Sequence, residues 1–142
     1  MLLADVNVLV YAHRTDSEHH TACRRWLETC LAGEARFACS DLVLSGFVRI
    51  VTHPRVFVRP TPLARALEFA GQVRDAPNAV LVQPSDTHWS IFARLCAESG
   101  AKGNLVPDAY LAALAIEHGC EWVTLDRDYS RFKGLRWSSP PG

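Results

Sequence analysis

Residues 2–13, LLADVNVLVYAH, combine a short apolar run with the start of a helix. Residues 2–4 together with Val6 have the pattern of a buried strand, and residues 7–13 can form a helix that Asn7 caps. Asp5 lies inside the apolar run, where a carboxylate without a partner would be costly to bury. The stretch therefore predicts a strand that leads into a helix, with a functional acid at the junction.

The same alternation of apolar runs and helical patterns continues along the whole chain. Further strands are predicted at 37–39, 79–82, 121–124 and near 135–137, and further helices at about 17–32, 41–52, 62–75, 86–99 and 108–118. Asp16 or Ser17 is expected to cap the second helix. Strands that alternate with helices favour an α/β fold, with a mainly parallel sheet of four to five short strands flanked by helices. We predict one domain over residues 1–138 and a short C-terminal tail at 139–142.

Composition limits the classes of function. The chain has 142 residues, of which 49% are hydrophobic, and this excludes intrinsic disorder. No run of about 18 apolar residues is present, so no membrane span is expected. Fifteen Lys and Arg balance fifteen Asp and Glu, which argues against a protein that grips nucleic acid by bulk charge, although not against an enzyme acting on it. Five cysteines without a CxxC pair favour a reducing, cytoplasmic compartment over a disulfide or zinc protein.

Four aspartates occupy positions that meet in a parallel sheet. Asp5 and Asp126 each follow a predicted strand, and Asp41 and Asp108 each lie in the first turn of a predicted helix. All four positions fall at the carboxyl edge of such a sheet, where ligands bind. Clustered carboxylates raise one another's pKa unless a cation lies between them, and oxygen-only ligands suit Mg²⁺ or Mn²⁺. The arrangement predicts a metal-dependent hydrolytic or phosphoryl-transfer site.

Each of these residues also has a purely structural interpretation. The helix dipole favours acids at the positions of Asp41 and Asp108, and Asp126 and Asp128 are common residues in turns. In the helix from residue 41, Arg49 lies on a polar stripe that could follow a phosphate backbone or could simply face solvent. The case for a site therefore depends on the joint placement of the acids.

Three stretches together resemble a known family. They are LLADVNVLVYAH at 2–13, DLVLSGFVRIVTHPRVF at 41–57 and NLVPDAYLAALAIEHGCEWVTLDRDYSRF at 104–132. In order and spacing they are similar to PIN-domain proteins, specifically to the VapC-type toxins of bacterial toxin–antitoxin pairs in their mycobacterial form. The resemblance implies a PIN-like domain and an endoribonuclease that depends on Mg²⁺, with Mn²⁺ as a second option.

The resemblance also assigns roles to individual residues. It implies that a metal-activated water hydrolyses RNA phosphodiester bonds and that the catalytic acids are Asp5, Asp41, Asp108 and Asp126. The metal would be held mainly by Asp5 and Asp108, with Asp126 completing the shell. Asp41 departs from the family, which usually has Glu there. The accessory residues implied are Asn7 and Asp128, and the candidates for RNA phosphate contacts are Arg49, Arg55 and Arg59. The expected partners are RNA, a cognate VapB-type antitoxin and a second copy of the chain.

Two other functions fit parts of the pattern. A Mg²⁺-dependent phosphatase also gathers aspartates at a sheet edge, but such sites usually use an aspartate nucleophile with a nearby lysine. Here the only lysines are Lys102 and Lys133, and the first motif lacks a second Asp. A catalytically weak PIN-like scaffold that binds RNA or a partner is the non-enzymatic alternative, and the shortened Asp41 is the one feature that favours it.

Overall fold

A parallel five-stranded sheet forms the centre of the molecule, in a computed structural model that describes residues 1–142. Its strands stand in the order β3-β2-β1-β4-β5, and every neighbouring pair is parallel. The strands are β1 (Leu2–Ala4), β2 (Phe37–Cys39), β3 (Ala79–Leu81), β4 (Glu121–Val123) and β5 (Trp137–Ser138). The predicted α/β class, with a parallel sheet of short strands, is confirmed.

Six helices connect and flank the strands. They are α1 (Val6–His13), α2 (His20–Ala32), α3 (Asp41–Val51), α4 (Leu63–Arg74), α5 (His88–Ser99) and α6 (Leu105–Glu117), and a 3₁₀ turn follows β4 at Arg127–Arg131. α1 packs against α2 and α3, α3 packs against α4, and α5 pairs with α6. None of these helices combines the length and the apolar composition that a bilayer crossing needs.

The sheet centre is apolar, and the only charged residue in its three middle strands is Glu121 at the start of β4. Leu3 of β1 and Trp122 of β4 lie opposite each other and are almost completely buried. All three residues of β2 are buried as well. A parallel sheet with both faces covered requires such strands. Because β1 and β4 are neighbours and run the same way, the residues that follow them, Asp5 and Thr124, come to the same edge.

Several predicted helix starts are wrong: α5 begins at His88 and not at 86, and α6 begins at Leu105 and not at 108. Asp5, not Asn7, caps α1, because the Asp5 amide still pairs with the Val123 carbonyl while its carboxylate accepts from the Val6 amide. The second helix begins at His20 and not near residue 17, since Ser17 Oγ accepts from the His19 amide and so stabilises a turn instead.

Candidate metal centre

Asp5 is held at the junction of β1 and α1 by bonds to both carboxylate oxygens. Oδ1 accepts from the Val6 amide at 2.6 Å, and Oδ2 accepts from the Thr124 hydroxyl at 2.7 Å. The residue is only 7% exposed. Burial raises the pKa of Asp5 to about 6, the two hydrogen bonds oppose that rise, and the charges of Asp108 and Asp126 add to it. Asp5 is therefore a fixed, partly desolvated acid beside two others.

Asp108 enters the same region from the first turn of α6. Tyr129 donates its hydroxyl to Asp108 Oδ1 at 3.2 Å. Burial raises the pKa of Asp108, and the charges of Asp126 and Asp128 raise it further, whereas the Tyr129 hydrogen bond lowers it. Burial and the nearby acids also raise the pKa of Tyr129, so this phenol stays protonated and remains a donor.

Asp126 reaches the site from the turn after β4. Its carboxylate caps the 3₁₀ turn, with Oδ1 accepting from the Asp128 amide at 2.9 Å. Asp128 lies one step further along this turn. Its charge acts on Asp108, but it does not line the cleft that the other acids share.

The acids from three chain segments line one cleft of about 510 Å³. We call it the acidic cleft. Its wall consists of Asp5, Val6, Asn7, Val10, Tyr11, Gly46, Arg49, Ile50, Val56, Phe57, Asp108, Leu111, Asp126 and Tyr129. Polar groups lie at the sheet edge and apolar side chains form the rest, as in most ligand sites.

Thr124 joins the acidic segments, although it is not among the residues predicted from the sequence. Its side chain is completely buried at the end of β4. The hydroxyl donates to Asp5 and accepts from the Asp126 amide at 3.0 Å and from Asn7 Nδ2 at 3.4 Å. Asn7 thus supports Asp5 through Thr124, and its Oδ1 also accepts from the Leu125 amide at 3.4 Å. A hydroxyl two residues before Asp126, at the end of a buried strand, was the available signal.

Helix α3 comes very close to the turn that holds Asp5. A Cβ on Gly46 would lie 3.0 Å from Val6 Cγ2, so only glycine allows this approach without a shift. Val6 supplies the amide that binds Asp5, so the packing of α3 on α1 helps to fix the acid in place.

Asp41 does not join the other acids, contrary to the predicted convergence of four carboxylates. It lies at the start of α3 and forms an ion pair with Arg74 of α4, with N–O distances of 2.8 and 3.3 Å. Its side chain is 67% exposed. The part of α3 that faces the acidic cleft begins more than a turn later, at Gly46 and Arg49. The helix therefore contributes Arg49 to the cleft wall and no acid.

The three arginines predicted to contact phosphate lie in different places. Arg49 lines the acidic cleft and is exposed, and its guanidinium has no hydrogen bond or ion pair in the protein. Arg59 lines a neighbouring pocket. Arg55 lines neither, and its amide donates to His53 Nδ1 in the turn after α3.

The donor set fits a hard divalent cation in its chemistry. The charged oxygens are the carboxylates of Asp5, Asp108 and Asp126. The charges of Asp108 and Asp126 disfavour ionisation of Asp5, and the charge of Asp126 disfavours ionisation of Asp108, which a cation would reverse. The side chains do not form a closed cage, since no three His, Cys, Asp or Glu groups lie close enough together to hold one ion. An ion that keeps several of its waters, as Mg²⁺ does, suits such an open set.

Comparison with known proteins identifies the family. Residues 2–135 match the PIN domain. Ribonuclease VapC37 of Mycobacterium tuberculosis is 44% identical over 141 residues, covering 99% of this chain and 98% of the relative. Ribonuclease VapC25 of the same species is 41% identical and covers 99% of both chains. The crystal structure of VapBC2 from Rickettsia felis bound to a promoter DNA fragment has the same fold, with a TM-score of 0.68 at 18% identity and 96% coverage of both chains. The chain belongs to the PIN-domain family, in the group that contains the VapC ribonucleases.

Proposed function

We propose that this protein is a metal-dependent endoribonuclease and the toxin of a VapBC-type toxin–antitoxin pair. One observation supports the chemistry above all: Asp5, Asp108 and Asp126 line one cleft although they come from three separate segments. Membership of the group that contains the VapC ribonucleases makes a nuclease the activity that best fits these acids.

Asp5 and Asp108 would hold the cation, and Asp126 would complete the shell. Mg²⁺ is the expected ion and Mn²⁺ an alternative. When bound, such a cation activates water and stabilises the charge that develops on a phosphodiester.

The remaining residues of the cleft position these acids and the substrate. Thr124 and the Val6 amide fix the orientation of Asp5, and Tyr129 fixes that of Asp108. Asn7 supports this arrangement through Thr124. The Arg49 guanidinium has no acceptor in the protein and would bind a phosphate of RNA in the cleft. Asp128 contributes through its charge and its place in the turn.

The proposal extends to partners and location. The VapC resemblance supports inhibition by a cognate VapB-type antitoxin and a homodimer in solution. Light scattering at micromolar concentration tests the dimer, which a strictly monomeric mass would contradict. All five cysteines are free, which supports a reducing, cytoplasmic location.

Cleavage of an unstructured RNA in Mg²⁺ tests the activity. We expect Asp5→Asn and Asp108→Asn to abolish cleavage, because each removes a charge that would hold the cation. Asp41→Asn is the matched control, since it also removes a carboxylate charge but lies outside the cleft. Cleavage at the wild-type rate by Asp5→Asn or Asp108→Asn would contradict the assignment of these acids to the cation site. Release of phosphate from a small phosphomonoester would favour a phosphatase, and RNA binding without any cutting would favour the scaffold alternative.

A further inference from the structure

A basic pocket lies directly beside the acidic cleft. Its volume is about 730 Å³, and its lining includes Arg14, Asp16, Val56, Phe57, Arg59 and Arg65. Val56 and Phe57 line both spaces, so a single side-chain wall separates them. A bound polymer that extends from the acidic cleft across Phe57 would enter the basic pocket.

Arg14 builds the inner wall of this pocket. Its guanidinium donates to Asp16 at 2.6 Å, to the Arg59 carbonyl at 2.8 Å and to Thr61 Oγ1 at 3.2 Å. It also lies over the Phe57 ring, 4.0 Å from the ring centre. Only 12% of the Arg14 side chain is exposed. These contacts fix Phe57 and the segment around Arg59, and they leave Arg14 little capacity to bind a ligand itself.

Arg59 and Arg65 are the free charges of the basic pocket. Both are exposed, and neither side chain has a hydrogen bond or an ion pair in the protein. The only acid in the wall, Asp16, is paired with Arg14. Burial lowers the pKa of the neighbouring His13, and the positive charges of Arg14 and Arg65 lower it further, which reflects a positive potential in this region.

We propose that the basic pocket is a subsite for the RNA strand, in which Arg59 and Arg65 bind a backbone phosphate next to the segment held in the acidic cleft. The inference rests on the proposed ribonuclease function. It follows from the shared wall and from two unpaired guanidiniums, whose planar forks match phosphate oxygens. It also explains how a chain of zero formal net charge could hold RNA: the positive charge is concentrated where the strand leaves the acids.

Salt dependence of RNA binding tests the subsite without catalysis. The probe is a labelled oligouridylate of about ten nucleotides, titrated in EDTA with wild type and with Arg59→Ala/Arg65→Ala. Each lost phosphate contact lowers the slope of log K against log salt by about 0.7 for a single strand, so the double variant, which loses the one phosphate held by both arginines, should lose about 0.7. The control is Arg25→Ala/Arg36→Ala, which removes the same charge from exposed arginines outside both spaces. Arg59→Lys/Arg65→Lys should keep most of the slope.

Cleavage in Mg²⁺ adds a second measurement. We expect Arg59→Ala/Arg65→Ala to raise KM for the oligonucleotide without lowering kcat, and to leave cleavage of a dinucleotide unchanged, because a dinucleotide occupies the acidic cleft alone. Two results would overturn the subsite. One is an equal salt slope in Arg59→Ala/Arg65→Ala and Arg25→Ala/Arg36→Ala. The other is a rise in KM for the dinucleotide as large as the rise for the oligonucleotide. Wild type that binds RNA with the expected difference in slopes but never cuts it would refute the proposed function and leave the subsite standing. Wild type that binds no RNA would refute both.

Discussion

Replacing Asp5 by Asn should change how stability depends on pH. The folded pKa of Asp5 is about 6, against 3.8 for an ordinary aspartate, mainly because the side chain is buried. Below pH 3.8 the folded and unfolded chains both hold this proton. As the pH rises to about 6, the unfolded chain ionises first, so the folded state loses stability. The difference in pKa corresponds to about 3 kcal/mol, which remains lost at neutral pH when no cation is bound.

Asp5→Asn removes this titration while keeping a side chain of the same shape. The exchange has its own cost through altered hydrogen bonds to Thr124 and Val6, but that cost does not depend on pH. The free energy of unfolding is measured in denaturant with EDTA from pH 4 to 7.5, with fluorescence of the buried Trp122 contributing to the signal. We expect the free energy of unfolding of wild type, minus that of the variant, to fall by about 2.4 kcal/mol over this range, since the unfolded aspartate is already more than half ionised at pH 4.

Adding Mg²⁺ at pH 7.5 should restore most of the stability that wild type loses when Asp5 ionises. A cation present at 100 times its dissociation constant stabilises the folded state by about 2.7 kcal/mol, and Asp5→Asn should gain much less. A difference between the two proteins that stays constant from pH 4 to 7.5 would refute the reasoning, because it would mean that Asp5 ionises normally. Equal stabilisation of both proteins by Mg²⁺ would remove Asp5 from the cation site.

Three further substitutions separate the roles in and around the acidic cleft. Thr124→Val removes a hydrogen bond to ionised Asp5 that is worth about 1.5 kcal/mol. The acidic limb of the pH–rate profile should therefore move to higher pH by about one unit. A limb at the wild-type pH would contradict this role of Thr124. Tyr129→Phe removes the donor that lowers the pKa of Asp108, so cleavage should need more Mg²⁺, and an unchanged Mg²⁺ titration would exclude that role. Asp41→Asn breaks only an exposed ion pair, so unfolding should become easier by less than about 1 kcal/mol and cleavage should keep its rate; a loss as large as that of Asp108→Asn would return Asp41 to the site.

The fold could be predicted because its main signals are local. Apolar triplets such as Phe37–Cys39, separated by helical patterns, define parallel strands with helical connections. The start of α2 could not be read in the same way. Ser17 is a good cap residue, but its hydroxyl stabilises a turn before the helix, and sequence alone does not distinguish the two.

The site was predictable where an acid lies within three residues of a strand end. Asp5 and Asp126 are fixed to the sheet edge by the strands before them, and the short distance leaves little freedom. Asp41 is different, because the direction of a helix-start side chain depends on what packs beside the helix. Arg74 comes from α4, 33 positions away, and no local pattern announces that contact. Thr124 was missed for a related reason: a buried hydroxyl acquires its role only from the partners around it.

The absence of a carboxylate from the α3 side of the acidic cleft has an electrostatic consequence. With Asp5, Asp108 and Asp126 ionised and Arg49 charged, the four side chains that line the cleft carry two net negative charges. One divalent cation neutralises them. A second ion would leave the cleft positive and would need the negative phosphate of the substrate beside it, which is the charge that Arg49 also attracts. A fourth acid in place of this arginine would favour a second resident ion and repel the phosphate. With Asp41 outside the cleft and Arg49 in its wall, this charge balance therefore favours one resident ion, with Arg49 supplying part of the binding energy for RNA.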